Sequence, residues 1–233
     1  LSSGTWSLLG VELDQPVINE EALTANFTNE IGFGHSVRLL KNLSGLFILQ
    51  ECRRVWKEDG RDYDYGELAR QAQDAPPLRS LIRPDADVFA TVGDMPTRVV
   101  EFCKQTGQPV PETPGQFTRC IYESLALLYG ETIRTLEAVA GTQIKKLNIV
   151  GGGSQSALLN QLAADATGLS VEAGPVEATG LGNIGVQAIA AGQLRDLDDL
   201  RDLVRRSFDT QTYTPTAGPI TEAAARFLSL KTK

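Results

Sequence analysis

The stretch IVGGGSQSALLNQLAADATGL, from Ile149 to Leu169, constrains the fold more than any other part of the chain. An apolar run over 144–150 leads into three consecutive glycines, and a helical pattern follows from Ser156 to Thr167. Glycine has no Cβ, so a ligand can touch the backbone there. The first turn of a helix carries unpaired N–H groups and a partial positive charge. The pattern predicts a strand, a bare turn and a helix that together suit a phosphate, a ribose or a flat base.

Three interpretations of this glycine turn compete. In the first, the glycines only make a tight connection. In the second, they belong to a dinucleotide-binding GxGxxG fingerprint, which needs glycine where the chain has Ser156 and an acid about twenty residues further on, near Glu172. The third is a GxxxxGK[ST] phosphate loop, which is rejected because no lysine follows the glycines.

A second turn of small residues lies near the start of the chain, in SSGTWS. Hydroxyls and bare amides in such a turn often face phosphate oxygens. The two turns are far apart in sequence, as they would be if separate elements held the two ends of one nucleotide. The spacing alone does not establish this.

The remaining patterns predict an α/β fold, because strand and helix signals alternate in the last third of the chain. Strands are expected over 4–13, 144–150 and 169–173, and residues 14–36 are expected to form a loop-rich excursion. Helices are expected at Asn42–Lys57, Tyr65–Gln73, 94–107 with Asp94 as its cap, Gln116–Ala140, Ser156–Thr167, Ala178–Ala191 and Asp196–Phe208, with fraying after Phe227.

Composition narrows the possible partners. The net charge of −7 argues against a nucleic acid or an anionic membrane surface, both of which call for basic patches. Three cysteines without a CxxC pair or a Cys/His cluster argue against a zinc site and favour a reduced, cytoplasmic protein. The chain starts at Leu1 and enters a strand-like sequence at once, so we expect residues 1–233 to be one domain of a longer protein. The only histidine, His35, is given no catalytic role.

Several longer stretches resemble the C-terminal half of the FGGY family of sugar kinases. They include SSGTWSLLGVEL, RLLKNLSGLFILQECRR, the QPVPETPG connector and LNIVGGGSQSALLNQLAADATGL, and they cover the chain to about Leu194. The resemblance implies a ribonuclease-H-like domain of the kind found in actin, Hsp70 and hexokinase. It also implies that this domain is the second half of a two-domain kinase. ATP and Mg²⁺ would then be the cofactors, and the partners would be a ketose, with L-rhamnulose expected, and the protein's own N-terminal domain.

The resemblance also implies roles for individual residues. Thr5 would face ATP phosphates, Asn42 would contact the sugar, and Gln50 would contact ATP. Gly152, with Gly151 and Gly153, would lie against adenosine, and Ser156 would make a polar contact to the base or ribose. The expected helix over 42–57 would place Asn42 and Gln50 about 12 Å apart along its axis. No catalytic base is assigned, because the family's base is an aspartate upstream of the GTWS strand.

Some alternatives stay open. Cys103 and Cys120 match a pair that can be bridged in a relative, although a cytoplasmic protein would keep them as thiols. An oxidoreductase using NAD at the glycine turn, a non-catalytic actin-like module that binds a partner protein, and a kinase for another ketose remain rival functions. The last is the most serious rival, because sugar specificity would depend mostly on the other domain.

Overall fold

The computed structural model describes residues 1–216 and 218–230. Its strands are β1 (Ser2–Ser3), β2 (Trp6–Leu13), β3 (Thr28–Ile31), β4 (Val37–Ser44), β5 (Lys146–Ile149), β6 (Ser170–Ala173) and β7 (Gln211–Tyr213). Its α-helices are α1 (Glu20–Thr24), α2 (Phe47–Glu58), α3 (Tyr65–Asp74), α4 (Met95–Gln105), α5 (Pro114–Ala140), α6 (Ala157–Thr167), α7 (Ala178–Ala190), α8 (Leu197–Ser207) and α9 (Pro219–Ser229). Within these described residues, no helix has the length and apolar character needed to cross a membrane.

The strands form two sheets that meet at one point. Four antiparallel strands run in the order β1-β2-β4-β3, and β5-β6-β7 form a second sheet in which β5 and β6 are parallel. A parallel bridge between Ser2 and Val150 joins β1 to the end of β5. The Ser3 N–H donates to the Val150 carbonyl at 2.8 Å, and the Val150 N–H donates to the Leu1 carbonyl at 2.9 Å. The SSGT turn (Ser2–Thr5), which leads from β1 into β2, and the glycine turn (Gly151–Gly153), which follows β5, therefore lie side by side.

Helix α5 supplies the centre of the core. Every residue from Ile121 to Gly130 is buried, so this helix is enclosed on all sides there. It lies against α3, α6 and β2. The Ser7 hydroxyl of β2 and the Tyr129 hydroxyl of α5 form a buried hydrogen bond of 2.7 Å, so a specific polar contact fixes the first sheet on the central helix.

Replacing Tyr129 with phenylalanine should destabilise the protein by about 1–3 kcal/mol, because the Ser7 hydroxyl would stay buried without its partner. Chemical denaturation of Tyr129→Phe measures this loss. Because Ser7 and Tyr129 are in contact, the double variant Ser7→Ala/Tyr129→Phe should lose less stability than the two single variants summed. Strict additivity would show that the two hydroxyls contribute independently.

The expected helix over Asn42–Lys57 is wrong in its first part. Residues 37–44 form β4, and the helix begins only at Phe47. Eight residues of β4 pair with β2, including Asn42 opposite Leu8, and this pairing overrides the helical spacing of the leucines. Asn42 and Gln50 therefore lie on different elements, a strand and a helix.

Three other expectations need correction. The excursion over 14–36 contains α1 and β3, because Asn19 caps a short helix and the polar strand β3 pairs with β4. The end of the chain is helical through Ser229, in α9, and residues 231–233 lie outside the described part. Thr5, expected within a strand, lies in the turn between β1 and β2.

The expected elements with strong local signals are present. Asp94 caps α4, and Gly107 follows it with φ of +68°. Helix α5 runs to Ala140 and ends at Gly141, which adopts φ of +63°. The strand, glycine turn and helix around 146–167 also form as expected, with Ser156 as the cap of α6.

The structure records Cys52, Cys103 and Cys120 as free, buried thiols. Burial raises the pKa of Cys52, and the interaction between the two other thiols raises the pKa of Cys120 and lowers that of Cys103. Because a thiol reacts as its exposed thiolate, the native protein should react slowly with a thiol reagent. Denaturation without reductant should release all three thiols to titration. A count of one would show a Cys103–Cys120 bridge.

Candidate functional site

Two of the three turn glycines are explained by packing. Gly151 has φ of +84°, and a Cβ on it would lie 2.7 Å from the Ser3 carbonyl oxygen. A Cβ on Gly153 would overlap the Ser3 Oγ atom and lie 2.6 Å from the Ser3 Cβ. Only residues without a side chain let the turn approach β1 this closely. The two small-residue turns found in the sequence are therefore in direct contact.

Gly152 differs from its neighbours. It is exposed, and a Cβ built on it would meet no atom within 4 Å. Neither a positive φ nor a close approach requires glycine at this position. Its bare backbone instead borders a cavity.

This glycine-turn cavity has a volume of about 490 Å³, within the range of small-molecule sites. Helices α2, α3, α5 and α6, the SSGT turn and the glycine turn all contribute to its walls. It is lined by Gly4, Leu46, Gln50, Tyr65, Gly66, Ala69, Arg70, Gln73, Tyr122, Gly152, Gly153, Gln155, Ser156, Ala157 and Leu158.

The cavity is polar at a few places and carries no negative side chain among its described lining residues. Arg70 is the one charged residue of that set, in a chain with a net charge of −7. The Ser156 hydroxyl accepts the Leu159 N–H at 3.3 Å and so caps α6 at the edge of the cavity. Burial raises the pKa of Tyr122, although a hydrogen bond with Ser156 opposes this, so the phenol remains protonated at neutral pH. The walls therefore offer a ligand apolar surface, a few hydrogen-bonding groups and one positive charge.

A second cavity, the Asn42 cavity, has a volume of about 450 Å³. Its walls come from the SSGT turn, β4, the start of α2 and the segment around the 3₁₀ turn Asp87–Phe89. It is lined by Thr5, Trp6, Asn26, Lys41, Asn42, Leu43, Ser44, Phe47, Pro84, Asp85, Ala86, Phe89 and Ala90.

The SSGT turn separates the two cavities. Gly4 lines the glycine-turn cavity, whereas the next residue, Thr5, lines the Asn42 cavity. Two backbone hydrogen bonds connect this turn to the start of α2. The Leu46 N–H donates to the Gly4 carbonyl at 2.8 Å, and the Phe47 N–H donates to the Thr5 carbonyl at 3.1 Å. The two cavities are therefore neighbours on either side of this turn.

The structure divides the residues expected from sequence into two groups. Gln50, Gly152, Gly153 and Ser156 line the glycine-turn cavity. Thr5 and Asn42 line the Asn42 cavity. Gly151 is not among the lining residues of either, and its contact with Ser3 gives it a structural role.

Sequence reasoning missed one wall of the glycine-turn cavity. The residues of α3 that line it are Tyr65, Gly66, Ala69, Arg70 and Gln73. Their spacing of three and four places them on one face of the helix, while Leu68 and Ala72 are buried on another. The sequence of this short helix indicates an amphipathic pattern, but no motif within it indicates that its exposed face borders a binding site.

A third cavity, of about 490 Å³, involves the far end of the glycine turn. Ser154 and Gln155 line it together with Gly174, Pro175 and neighbouring residues. None of the site residues expected from sequence belongs to it. Glu172, the acid that a dinucleotide fingerprint would need, is paired with Lys146 and accepts a hydrogen bond from Thr210 at 3.1 Å.

Comparison with known proteins gives a consistent picture. Residues 1–191 match the model of the FGGY family of carbohydrate kinases, C-terminal domain. A curated relative, the rhamnulokinase of Bacteroides thetaiotaomicron, is 48% identical over 215 residues, which are 92% of this chain and 44% of the relative. The chain thus spans less than half the length of this relative.

Solved structures show the same fold at low identity. The xylulose kinase of Rhodospirillum rubrum matches with a TM-score of 0.68 and 18% identity over 97% of this chain and 44% of its own. The Plasmodium falciparum glycerol kinase, solved with ADP, matches with a TM-score of 0.66 and 14% identity over 97% of this chain and 45% of its own. These matches confirm the expected α/β fold of the actin and hexokinase type. Because the family model matches residues 1–191, which are most of this chain, the chain belongs to the FGGY family of carbohydrate kinases, as a C-terminal domain.

Proposed function

We propose that this chain is the nucleotide-binding half of an ATP-dependent sugar kinase. One observation carries the proposal: Gln50, Gly152 and Ser156 line one cavity, Thr5 and Asn42 line the next, and the SSGT turn lies between them. A nucleotide in the first cavity would direct its phosphates past this turn toward a sugar in the second. Such an order is what in-line transfer of a phosphoryl group requires.

Five of the lining residues would contact the substrates directly in this arrangement. Adenosine would lie against the bare backbone of Gly152, with Gln50 and Ser156 offering hydrogen bonds to its base or ribose. Thr5 would contact the phosphates from the turn. Asn42, exposed on β4, would donate to or accept from a sugar hydroxyl.

ATP fits the residues that are present, because the glycine-turn cavity has the size of a nucleoside site and an open backbone face. For Mg²⁺, the described residues do not form a complete set of ligands. No group of three His, Cys, Asp or Glu side chains in the described ranges 1–216 and 218–230 could hold a metal ion. Asp85 in the Asn42 cavity is paired with Arg83. We therefore assign Mg²⁺ to the ATP phosphates and to groups outside this chain, where it would neutralise phosphate charge.

The proposal also assigns the catalytic base to another part of the full-length protein. An aspartate there would accept the proton of the attacking sugar hydroxyl, and closure of the two halves would exclude water. The 233-residue chain alone should accordingly be inactive and should bind ATP weakly. Phosphorylation of a ketose by this chain alone at the rate of the full-length protein would contradict this assignment.

For the sugar, we propose L-rhamnulose, phosphorylated by ATP on its 1-hydroxyl. The support is the 48% identity to a protein named rhamnulokinase. The test is ADP formation by the full-length protein with a panel of ketoses. We expect kcat/KM to be highest for L-rhamnulose. A higher value for another ketose would reassign the substrate, and no ADP formation with any sugar would remove the kinase proposal.

A further inference from the structure

The α3 wall of the glycine-turn cavity contains an exposed aromatic residue that another side chain holds in place. Tyr65 is 43% exposed, and the Arg53 guanidinium lies 4.1 Å from the centre of its ring. The Arg53 Nε also donates to the Tyr63 carbonyl at 2.8 Å. Arg53 thus joins α2 to the start of α3 and restricts the orientation of the Tyr65 ring.

The nearby Tyr63, in contrast, has an ordinary packing role. Tyr63 packs edge-on against Trp56, with ring centres 5.8 Å apart, as a structural tyrosine does. Tyr65 instead lines the cavity, at the first position of α3. The Tyr65 ring is therefore ordered by Arg53 while much of its surface stays accessible.

The position of Arg53 connects this ring to the rest of the site. Gln50 lines the same cavity and precedes Arg53 by three residues, so both lie on one face of α2. The glycine turn supplies a second, flat surface to that cavity through Gly152 and Gly153. A planar group inside would therefore meet one aromatic wall and one wall of bare peptide.

We propose that Tyr65 stacks on the base of the bound nucleotide and that Arg53 is a positioning residue that holds its ring for this contact. The inference rests on the proposed function, which places the nucleoside in this cavity. Aromatic side chains stack on bases strongly enough to change affinity by roughly tenfold or more. Because every base has a π face, the contact would strengthen binding with little choice among bases.

The test measures ATP affinity by calorimetry in the full-length protein. Tyr65→Leu should weaken ATP binding by roughly tenfold, whereas Tyr65→Phe should stay within about twofold, since it keeps the ring. Arg53→Gln should weaken binding by about threefold, and Arg53→Lys, which keeps a cation near the ring, should restore most of it. Phe33→Leu is the matched control, because Phe33 is 42% exposed and is absent from the described walls of the cavity.

A spectroscopic variant separates stacking from a structural role. Tyr65→Trp should keep the affinity for ATP, and its added indole emission should be quenched when ADP binds. Unchanged emission, or an unchanged affinity in Tyr65→Leu, would overturn the inference while the proposed function stands, provided that Gly152→Val loses ATP binding. Failure of the unsubstituted protein to bind ATP, or normal binding by Gly152→Val, would overturn both.

Discussion

Replacing Gly152 with valine should lower the affinity for ATP by roughly 30-fold or more, about 2 kcal/mol, without lowering the thermal unfolding temperature. A Cβ at this position meets no protein atom within 4 Å, so the fold can accept the side chain. The same side chain would occupy the face of the glycine-turn cavity against which adenosine is proposed to lie. Calorimetric titration of the full-length protein with ATP, beside a thermal melt, measures both quantities.

Two other glycines provide the controls. Gly180 in α7 also has no atom within 4 Å of a built Cβ and lies outside the cavity walls, so Gly180→Val should bind ATP normally. Gly153→Ala, unlike Gly152→Val, should destabilise the fold, because its Cβ would overlap Ser3. Normal ATP binding by Gly152→Val would show that the nucleoside does not touch this turn.

Replacing Gly45 with alanine should cost about 1–3 kcal/mol of folding stability, the usual cost of an added group in a close-packed place. Its Cβ would lie 2.6 Å from the Gly4 carbonyl oxygen, 2.6 Å from the Trp6 carbonyl carbon and 2.7 Å from the Thr5 carbonyl oxygen. All three atoms are backbone, so relief requires the SSGT turn to move away from the junction of β4 and α2. Chemical denaturation gives the loss in free energy of unfolding.

The matched control for this prediction is Gly182→Ala. Gly182 lies in α7 with open space around a built Cβ, so alanine there should stabilise the helix by about 0.5–1 kcal/mol. Because the SSGT turn separates the two cavities, Gly45→Ala should also weaken ATP binding in the molecules that remain folded. Equal stability of Gly45→Ala and the unsubstituted protein would contradict the close packing described for this turn.

Elements with local signals were predictable from sequence. Asp94 and Gly141 mark the start of α4 and the end of α5 through capping chemistry that depends on a few adjacent residues. The strand, turn and helix around the glycines also follow from local pattern. The FGGY resemblance added the candidate residues, whose roles remain proposals.

Features that depend on distant pairing were not predictable. Asn42 was expected on a helix because its leucine neighbours recur at helical spacing, yet pairing with β2 makes the segment a strand. The contact of Gly151 and Gly153 with Ser3 joins residues nearly 150 positions apart, and no local signal could reveal it. The Arg53–Tyr65 contact likewise depends on the path of the chain between the end of α2 and the start of α3.

A crystal structure of the full-length protein with ADP bound tests the central claim most directly. We predict that adenosine lies in the glycine-turn cavity with the Gly152 backbone against it, and that the diphosphate points toward Thr5. A nucleotide seated in the third cavity, beside Gly174 and Pro175, or a glycine-turn cavity filled by the protein's own side chains, would contradict the account.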